Sequence, residues 1–384
     1  MLFKTTEAHE ALRKQVREWA EKEVKPIVLE KDRGPVEEAW MEDQVKQMAA
    51  HGWLGVPYSK DYGGAGLDVI SYAIVVEELS RVDGGIGVIC SAHTSLGAYP
   101  IAEFGTEAQK QKYLVPLAKG EKIGAFGLTE PNAGSDAGGT ETEYIDDGTN
   151  YILNGSKIFI TNAPKADTYV VFAANPDVPG TKGISAFIVE KGDEGFEFGE
   201  HYDKLGIRTS ATSELIFNEV TIPHDRLLGK EGEGFKIAMK TLDGGRIGIA
   251  AQAVGIAQAA INETVAYDKE RIQFGKPIWK FQNTQFQLAD MQAKVDSARL
   301  LVYRAAQAKQ DNEPHSHFAA MAKLMASEIA SDVARRCVQL VGGYGYTRDY
   351  PFERHMRDAK ITEIYEGTSE VQRMVIAGWL DATK

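Results

Sequence analysis

Between Leu288 and Ala305 the apolar residues Leu288, Met291, Val295, Ala298, Val302 and Ala305 recur at alternating steps of three and four. Only an α-helix brings such residues onto one stripe, and a stripe this narrow and long is the seam of a helix packed lengthwise in a bundle. The helical period holds from Gly234 to the C-terminus, and four long helical stretches fit before Leu380. The most apolar stretch, Gly248 to Ile261, is too short for a bilayer span and carries Gln252 and Gln258, so it reads as a buried helix.

The first third of the chain is helical as well. Leu12, Val16, Trp19 and Ala20 share one face of a helix that Pro26 stops, and Val69, Tyr72, Ala73, Val76 and Leu79 define a second helix. Gly-rich punctuation at Tyr62-Gly63-Gly64-Ala65-Gly66 separates the two, and a further helix begins near Thr106 with that threonine as its N-cap.

Near residue 121 the character changes to short runs of β-branched and aromatic residues broken by Gly-containing turns. Asn154-Gly155 between Tyr151-Ile152-Leu153 and Ile158-Phe159-Ile160 is a hairpin signal, lengthened by Ser156-Lys157. Thr168 to Ala174, Ile184 to Glu190 and Glu214 to Ile222 read as further strands, the last closed by Pro223. Strands that follow one another without helices between them argue for an antiparallel barrel or sandwich. The expected architecture is α+β and multidomain: an N-terminal α-helical domain (1–120), a middle antiparallel β-barrel domain (121–230) and a C-terminal four-helix bundle (231–384).

Composition narrows the function. With 43 basic against 55 acidic side chains the net charge is −12, which disfavours a surface that tracks nucleic acid. Cys90 and Cys337 are far apart and outside any C-x-x-C, so neither a disulfide framework nor a thiolate metal site is expected. The N-terminus enters an acidic amphipathic segment within a few residues, so neither a signal peptide nor an Arg-rich presequence is expected. A bacterial cytoplasm is therefore the expected location, with the mitochondrial matrix an option only after removal of a presequence. No G-x-G-x-x-G follows a strand, Gly275-Lys276 runs into Pro277 rather than completing a P-loop, and neither H-E-x-x-H nor G-x-S-x-G occurs. His315-Ser316-His317 reads as a polar interhelical turn in preference to a metal site, and no metal is expected.

Three segments admit a chemical reading beside a structural one. Phe126-Gly127-Leu128-Thr129-Glu130-Pro131-Asn132-Ala133-Gly134-Ser135-Asp136 is a capped turn, or a loop whose small residues let backbone N–H groups approach a planar or anionic ligand. Arg271-Ile272-Gln273-Phe274-Gly275-Lys276-Pro277 is a solvated turn or a basic clamp for a diphosphate. In Ile361-Thr362-Glu363-Ile364-Tyr365-Glu366-Gly367-Thr368-Ser369-Glu370, Glu366 is a capping carboxylate, or one desolvated enough by its apolar neighbours to act as a general base.

In this order and at these separations the three segments resemble the acyl-CoA dehydrogenase family. The likeness covers essentially the whole chain, including Tyr62-Gly63-Gly64, Leu153-Asn154-Gly155-Ser156-Lys157 and Gln339-Leu340-Val341-Gly342-Gly343-Tyr344-Gly345-Tyr346. Thr241-Leu242-Asp243-Gly244-Gly245-Arg246-Ile247-Gly248-Ile249-Ala250 most resembles the short-chain, butyryl-CoA branch.

The resemblance implies FAD as cofactor and a homotetramer built as a dimer of dimers. Flavin contacts would come from Phe126, Leu128, Thr129, Ser135, Phe159, Ile160, Thr161, Thr368, Ser369 and Glu370, with the Thr129 hydroxyl near the flavin N5 region. Arg271, Phe274, Gln282, Gln339, Leu340, Val341, Gly342 and Gly343 would contact the FAD of a neighbouring subunit. Acyl-CoA contacts would fall at Ser135, Asp243, Gly244, Gly245, Arg246 and Gly367, and Glu366 matches the catalytic base. Isovaleryl-type and long-chain members carry their base at the place of Gly245, where glycine cannot serve. The implied activity is αβ-desaturation of a short-chain acyl-CoA thioester, with electrons passed to electron-transferring flavoprotein. An oxidase or enoyl-CoA reductase of the same fold is the enzyme alternative, and a DNA-binding flavoprotein, disfavoured by the charge, is the alternative of another class.

Overall fold

A computed structural model describes residues 5–382. The N-terminal helices are α1 (Glu7–Trp19), α2 (Val28–Lys31), α3 (Glu38–Ala50), α4 (Val69–Val82), α5 (Gly84–Ala92), α6 (Tyr99–Phe104), α7 (Glu107–Gln109) and α8 (Val115–Lys119). Local chemistry sets their starts. Thr6 and His9 close a reciprocal capping box at α1, and Thr106 with Gln109 does so at α7, as the N-cap threonine predicts. Val16, Trp19 and Ala20 are buried, and Leu12 packs on them at the edge of the core.

The strands are β1 (Gly124–Gly127), β2 (Glu143–Asp146), β3 (Asn150–Thr161), β4 (Thr168–Ala174), β5 (Ile184–Glu190), β6 (Phe196–Phe198), β7 (Thr212–Pro223) and β8 (Leu227–Leu228). They form one sheet in the order β6-β7-β3-β2-β4-β5-β8, with β1 beside β4. The pairings are antiparallel except that β1 and β2 lie parallel to β4. Asn154-Gly155 is not a hairpin turn. β3 runs through it, and the ladder with β7 shifts register between Leu153 and Gly155. Gly155 has φ +139°, and a Cβ there would stand 2.8 Å from Thr142 Cα, so glycine marks a bulge where the backbone leading into β2 comes close.

The C-terminal part contains α9 (Gly234–Glu270), the two-strand hairpin β9 (Ile272–Gln273) and β10 (Lys276–Pro277), α10 (Gln282–Gln310), α11 (Ser316–Val341), α12 (Phe352–Ile361) and α13 (Ser369–Ala382). Three helices are long. The expected fourth is broken by the loop 362–368 into α12 and α13, both of which pack on α11. Every residue of the Leu288–Ala305 seam is buried, and Gly248–Ile261 lies within α9, which packs against α4, α10 and α11. One apolar cluster runs from Val16 and Trp19 through Tyr169 and Phe187 to Ile256 and Ala330, so the helices and the sheet share a continuous core. Among the described residues no helix is long and apolar enough to cross a membrane. His317 stacks on Trp379 at 4.4 Å, and His315 Nδ1 lies 3.0 Å from Glu313 O.

Candidate active site

Two adjoining cavities open where the sheet meets the helices. The first, about 330 Å³, is lined by Val88, Ala92 and Leu96, by Phe126, Leu128, Thr129 and Ser135, and by Met239, Leu242 and Arg246 of α9. The second, about 600 Å³, is lined by Tyr202 to Ile207, Thr212, Ile361, Ile364 and Thr368. Thr129, Ser135, Phe159, Thr161, Tyr365, Glu366 and Gly367 line both. Both volumes lie within the range of ~300–1,000 Å³ typical of small-molecule pockets.

Each wall has a local cause. The 126–136 loop is anchored by the Glu130 carboxylate, which accepts from Glu141 N at 2.6 Å and Thr142 N at 3.0 Å and meets Lys157 Nζ at 2.5 Å. Lys157 is 0% exposed, and its Nζ also donates to Leu128 O at 3.3 Å. Burial lowers the Lys157 pKa to about 8 against the pull of Glu130. Leu96 reaches the first cavity from a π-helical turn, His93–Ala98, a distortion common at functional sites.

Glu366 is the focus. Its φ is +52°, a left-handed value that neighbouring contacts must hold in a non-glycine residue, and Gly367 follows at +90°, which glycine adopts freely. Gln372 Nε2 donates to Gly367 O at 2.7 Å and to Glu366 O at 3.2 Å, and Lys323 Nζ donates to Gly367 O at 2.7 Å. The preceding side chain is fixed by a hydrogen bond from Tyr365 OH to Gln252 Oε1. Glu366 Oε2 is buried and has no partner, and the Glu366 N–H donates to no group among the described residues. Burial raises the carboxyl pKa to about 8, opposed by Lys323 and Arg246. Arg246 is in turn tied to Asp243 at 2.5 Å, and Asp243 also accepts from Ser316 Oγ at 2.8 Å.

The structure brings most of the sequence-selected residues to this place. Phe126, Leu128, Thr129, Ser135, Phe159, Ile160, Thr161, Arg246, Glu366, Gly367 and Thr368 line the cavities. Gly245 faces Glu366 from α9. Asp243 and Gly244 stand behind Arg246 and line neither cavity; a Cβ at Gly244 would meet Lys309 Nζ. Ser369 is buried with an unpartnered Oγ, and Glu370 is exposed on the first turn of α13.

Arg271, Phe274, Gln282 and the run Gln339 to Gly343 lie apart, at one end of the bundle, and line neither cavity. The Arg271 guanidinium sits 5.9 Å from the ring centre of Tyr344, which follows that run, and Phe274 is 92% exposed.

Lys323 was not among the residues selected from the sequence. Its signal is a lysine in the interior seam Ala319, Lys323, Ala326, Ala330, Val333, Cys337, all of it buried. A charge at such a position is rarely buried without a partner that needs it.

The second cavity suits a flavin. Its walls combine apolar Leu205, Ile207, Phe159, Ile361 and Ile364 with the hydroxyls of Thr129, Thr161, Thr212 and Thr368, and Thr212 Oγ1 is buried without a partner.

Models of the N-terminal, middle and C-terminal domains of acyl-CoA dehydrogenases match residues 6–121, 125–220 and 232–380. A short-chain specific acyl-CoA dehydrogenase of Clostridium acetobutylicum is 60% identical over 378 residues, covering 98% of this chain and 99% of the relative. The structure of butyryl-CoA dehydrogenase from Megasphaera elsdenii superposes with a TM-score of 0.95 at 51% identity, over 99% of this chain and 100% of that one. An acyl-CoA dehydrogenase from Bacillus anthracis, solved with FAD, superposes with a TM-score of 0.93 at 34% identity, over 98% and 67% of the two chains. Full-length similarity at this level, on a chain whose cavities already gather the segments that define the pattern, makes it a member of the acyl-CoA dehydrogenase family.

Proposed function

We propose that the protein is an FAD-dependent acyl-CoA dehydrogenase that introduces a double bond between Cα and Cβ of short-chain acyl-CoA thioesters, with Glu366 as the base. The observation that carries this reading is the Glu366 carboxylate: its Oε2 buried and unpartnered, the side chain lining both cavities, with a pKa raised to about 8. A carboxylate of that basicity is far better matched to a weakly acidic α-C–H than an ordinary one.

The first cavity would take the thioester, with Val88, Ala92, Leu96 and Leu242 offering apolar surface to the acyl group. The free Glu366 N–H is a donor for the thioester oxygen, where negative charge develops as the α-proton leaves. Glu366 takes that proton, and the C–H electron pair becomes the new π bond as the β-hydrogen departs with its own pair. FAD, held by Thr129, Ser135, Thr161 and Thr368 among others, supplies the acceptor for that hydrogen and pair. A thioester seated in the first cavity would keep water from competing for the proton. A cavity of about 330 Å³ and the identity to short-chain relatives support butyryl-CoA as the preferred length.

Electrons would then leave to electron-transferring flavoprotein. The exposed Ile272, Phe274, Tyr344 and Tyr346 cluster at the end of the bundle supports a homotetramer, in which the Arg271–Gln282 and Gln339–Gly343 segments meet a neighbour's FAD. The test is anaerobic addition of butyryl-CoA and of dodecanoyl-CoA to the purified protein. Bleaching of the visible flavin band, with higher kcat/KM for butyryl-CoA, is the expected result; a colourless protein that FAD does not reconstitute, or a preference for dodecanoyl-CoA, overturns it.

A further inference from the structure

Lys323 lies in the interior seam of α11 at 0% exposure, and its Nζ donates to Gly367 O at 2.7 Å. Gln372 Nε2 donates to the same oxygen at 2.7 Å, so two helices, α11 and α13, hold the peptide that follows Glu366. That peptide follows Glu366, whose φ of +52° does not persist in a non-glycine residue without such contacts, and Gly367, which adopts its φ of +90° freely. A neutral amide already satisfies the carbonyl from the α13 side. A buried ammonium on the other side needs a further reason, and the carboxylate that acts most strongly on it is Glu366.

We propose that Lys323 is a positioning residue for the dehydrogenation: its ammonium pins the Gly367 carbonyl, aiming the Glu366 carboxylate into the substrate cavity, and its charge favours the ionised form of that carboxylate. This rests on Glu366 being the base. The other groups facing Glu366 do not duplicate the effect. Arg246 of α9 is the second cation, but Asp243 answers its charge at 2.5 Å. Tyr72 of α4 and Tyr365 both keep their protons, since burial pushes each hydroxyl's pKa upward; Tyr72 OH bonds Ser91 Oγ at 3.0 Å and Tyr365 OH bonds Gln252. Lys323 itself faces Arg246 and, more weakly, the carboxylates of Glu363 and Glu370; burial lowers its pKa to about 8. Removing a cation beside a carboxylate raises the carboxylate's pKa, so the acid limb of the rate profile moves to higher pH.

The experiment measures anaerobic flavin reduction by butyryl-CoA against pH, with butyryl-CoA affinity and thermal stability, in holoenzymes carrying Lys323→Met, Lys323→Gln and Lys323→Arg. Met and Gln are expected to move the acid limb up by about one pH unit, about tenfold in rate at neutral pH, with little change in affinity. Arg is expected to restore most of the limb. An unmoved limb in Met and Gln overturns the proposal, and so does loss of folded flavoprotein in all three variants, which would assign Lys323 to stability alone. Glu366→Gln, run in parallel, separates the two levels: if it still desaturates, the reading of the base fails; if it is inert while the limb stays unmoved, only the role of Lys323 fails.

Discussion

Gly245 faces the Glu366 carboxylate so closely that a Cβ at position 245 would stand 2.0 Å from Glu366 Oε2 and 2.9 Å from Leu96 Cδ2. The two positions at which family resemblance places a base therefore compete for the same space, and here one carries no side chain so that the other can be filled. Gly245→Ala is expected to displace the carboxylate and lower kcat by about 10² or more, since misplacement by about 1 Å costs that much. FAD content should stay at wild-type level. Turnover with butyryl-CoA beside the flavin spectrum checks both; an unimpaired Ala variant would mean that the carboxylate has room to work elsewhere.

The pH dependence follows from the burial of Glu366. A base with a pKa of about 8 is mostly protonated in the free enzyme at neutral pH, so kcat/KM should rise as pH passes through about 8. A limb near 4.5, the ordinary value for this side chain, would show that substrate-free Glu366 is solvated.

Glu78 gives a stability prediction. It is 0% exposed, with Arg13 at 2.6 Å and Arg17 and Arg81 at 2.9 Å. Burial pushes its carboxyl up, but the bond from Arg17 and the charges of Arg81 and Arg17 outweigh it and hold the pKa at about 2. A depressed carboxylate pKa contributes stability that is complete above the unfolded value and lost as pH falls from 4.5 toward 2. Glu78→Gln should cost about 3–5 kcal/mol at neutral pH, because it leaves guanidinium charge without its buried partner. Urea unfolding at neutral and acid pH measures both, and the difference between wild type and variant should shrink in acid.

Arg271 tests the assembly reading. Arg271→Ala should weaken FAD retention by about 1.5–3 kcal/mol, the worth of a charge-assisted contact, while the bundle stays folded. Dialysis of the holoenzyme followed by flavin quantification gives the answer, and unchanged retention would remove Arg271 from the FAD site.

Much of this was legible in the residues themselves. The seam from Leu288 to Ala305 announces its helix because period alone decides which face is buried, and Thr106 announces a cap because its hydroxyl has one obvious use. Asn154-Gly155 misleads because a glycine needed for a turn and one needed for a close crossing look alike in sequence; the approach of Thr142 decides between them. The split of the last bundle helix at 362–368 was not visible either, although it creates the site, since the left-handed backbone of Glu366 is held by Gln372 and Lys323 from elsewhere in the fold. Glu366 was identifiable as a candidate, but its isolation depends on Gly245, more than a hundred residues away in sequence.

The most direct measurement is the rate of anaerobic flavin bleaching by butyryl-CoA in Glu366→Gln. Glutamine keeps the volume and the hydrogen-bonding capacity but does not accept the α-proton, so binding and proton abstraction come apart. The variant should carry FAD and perturb its flavin spectrum on binding butyryl-CoA, while bleaching slows by at least the ~10²–10⁴ that a general base contributes. Bleaching within about tenfold of wild type, a difference of only ~1.4 kcal/mol, would contradict Glu366 as the base.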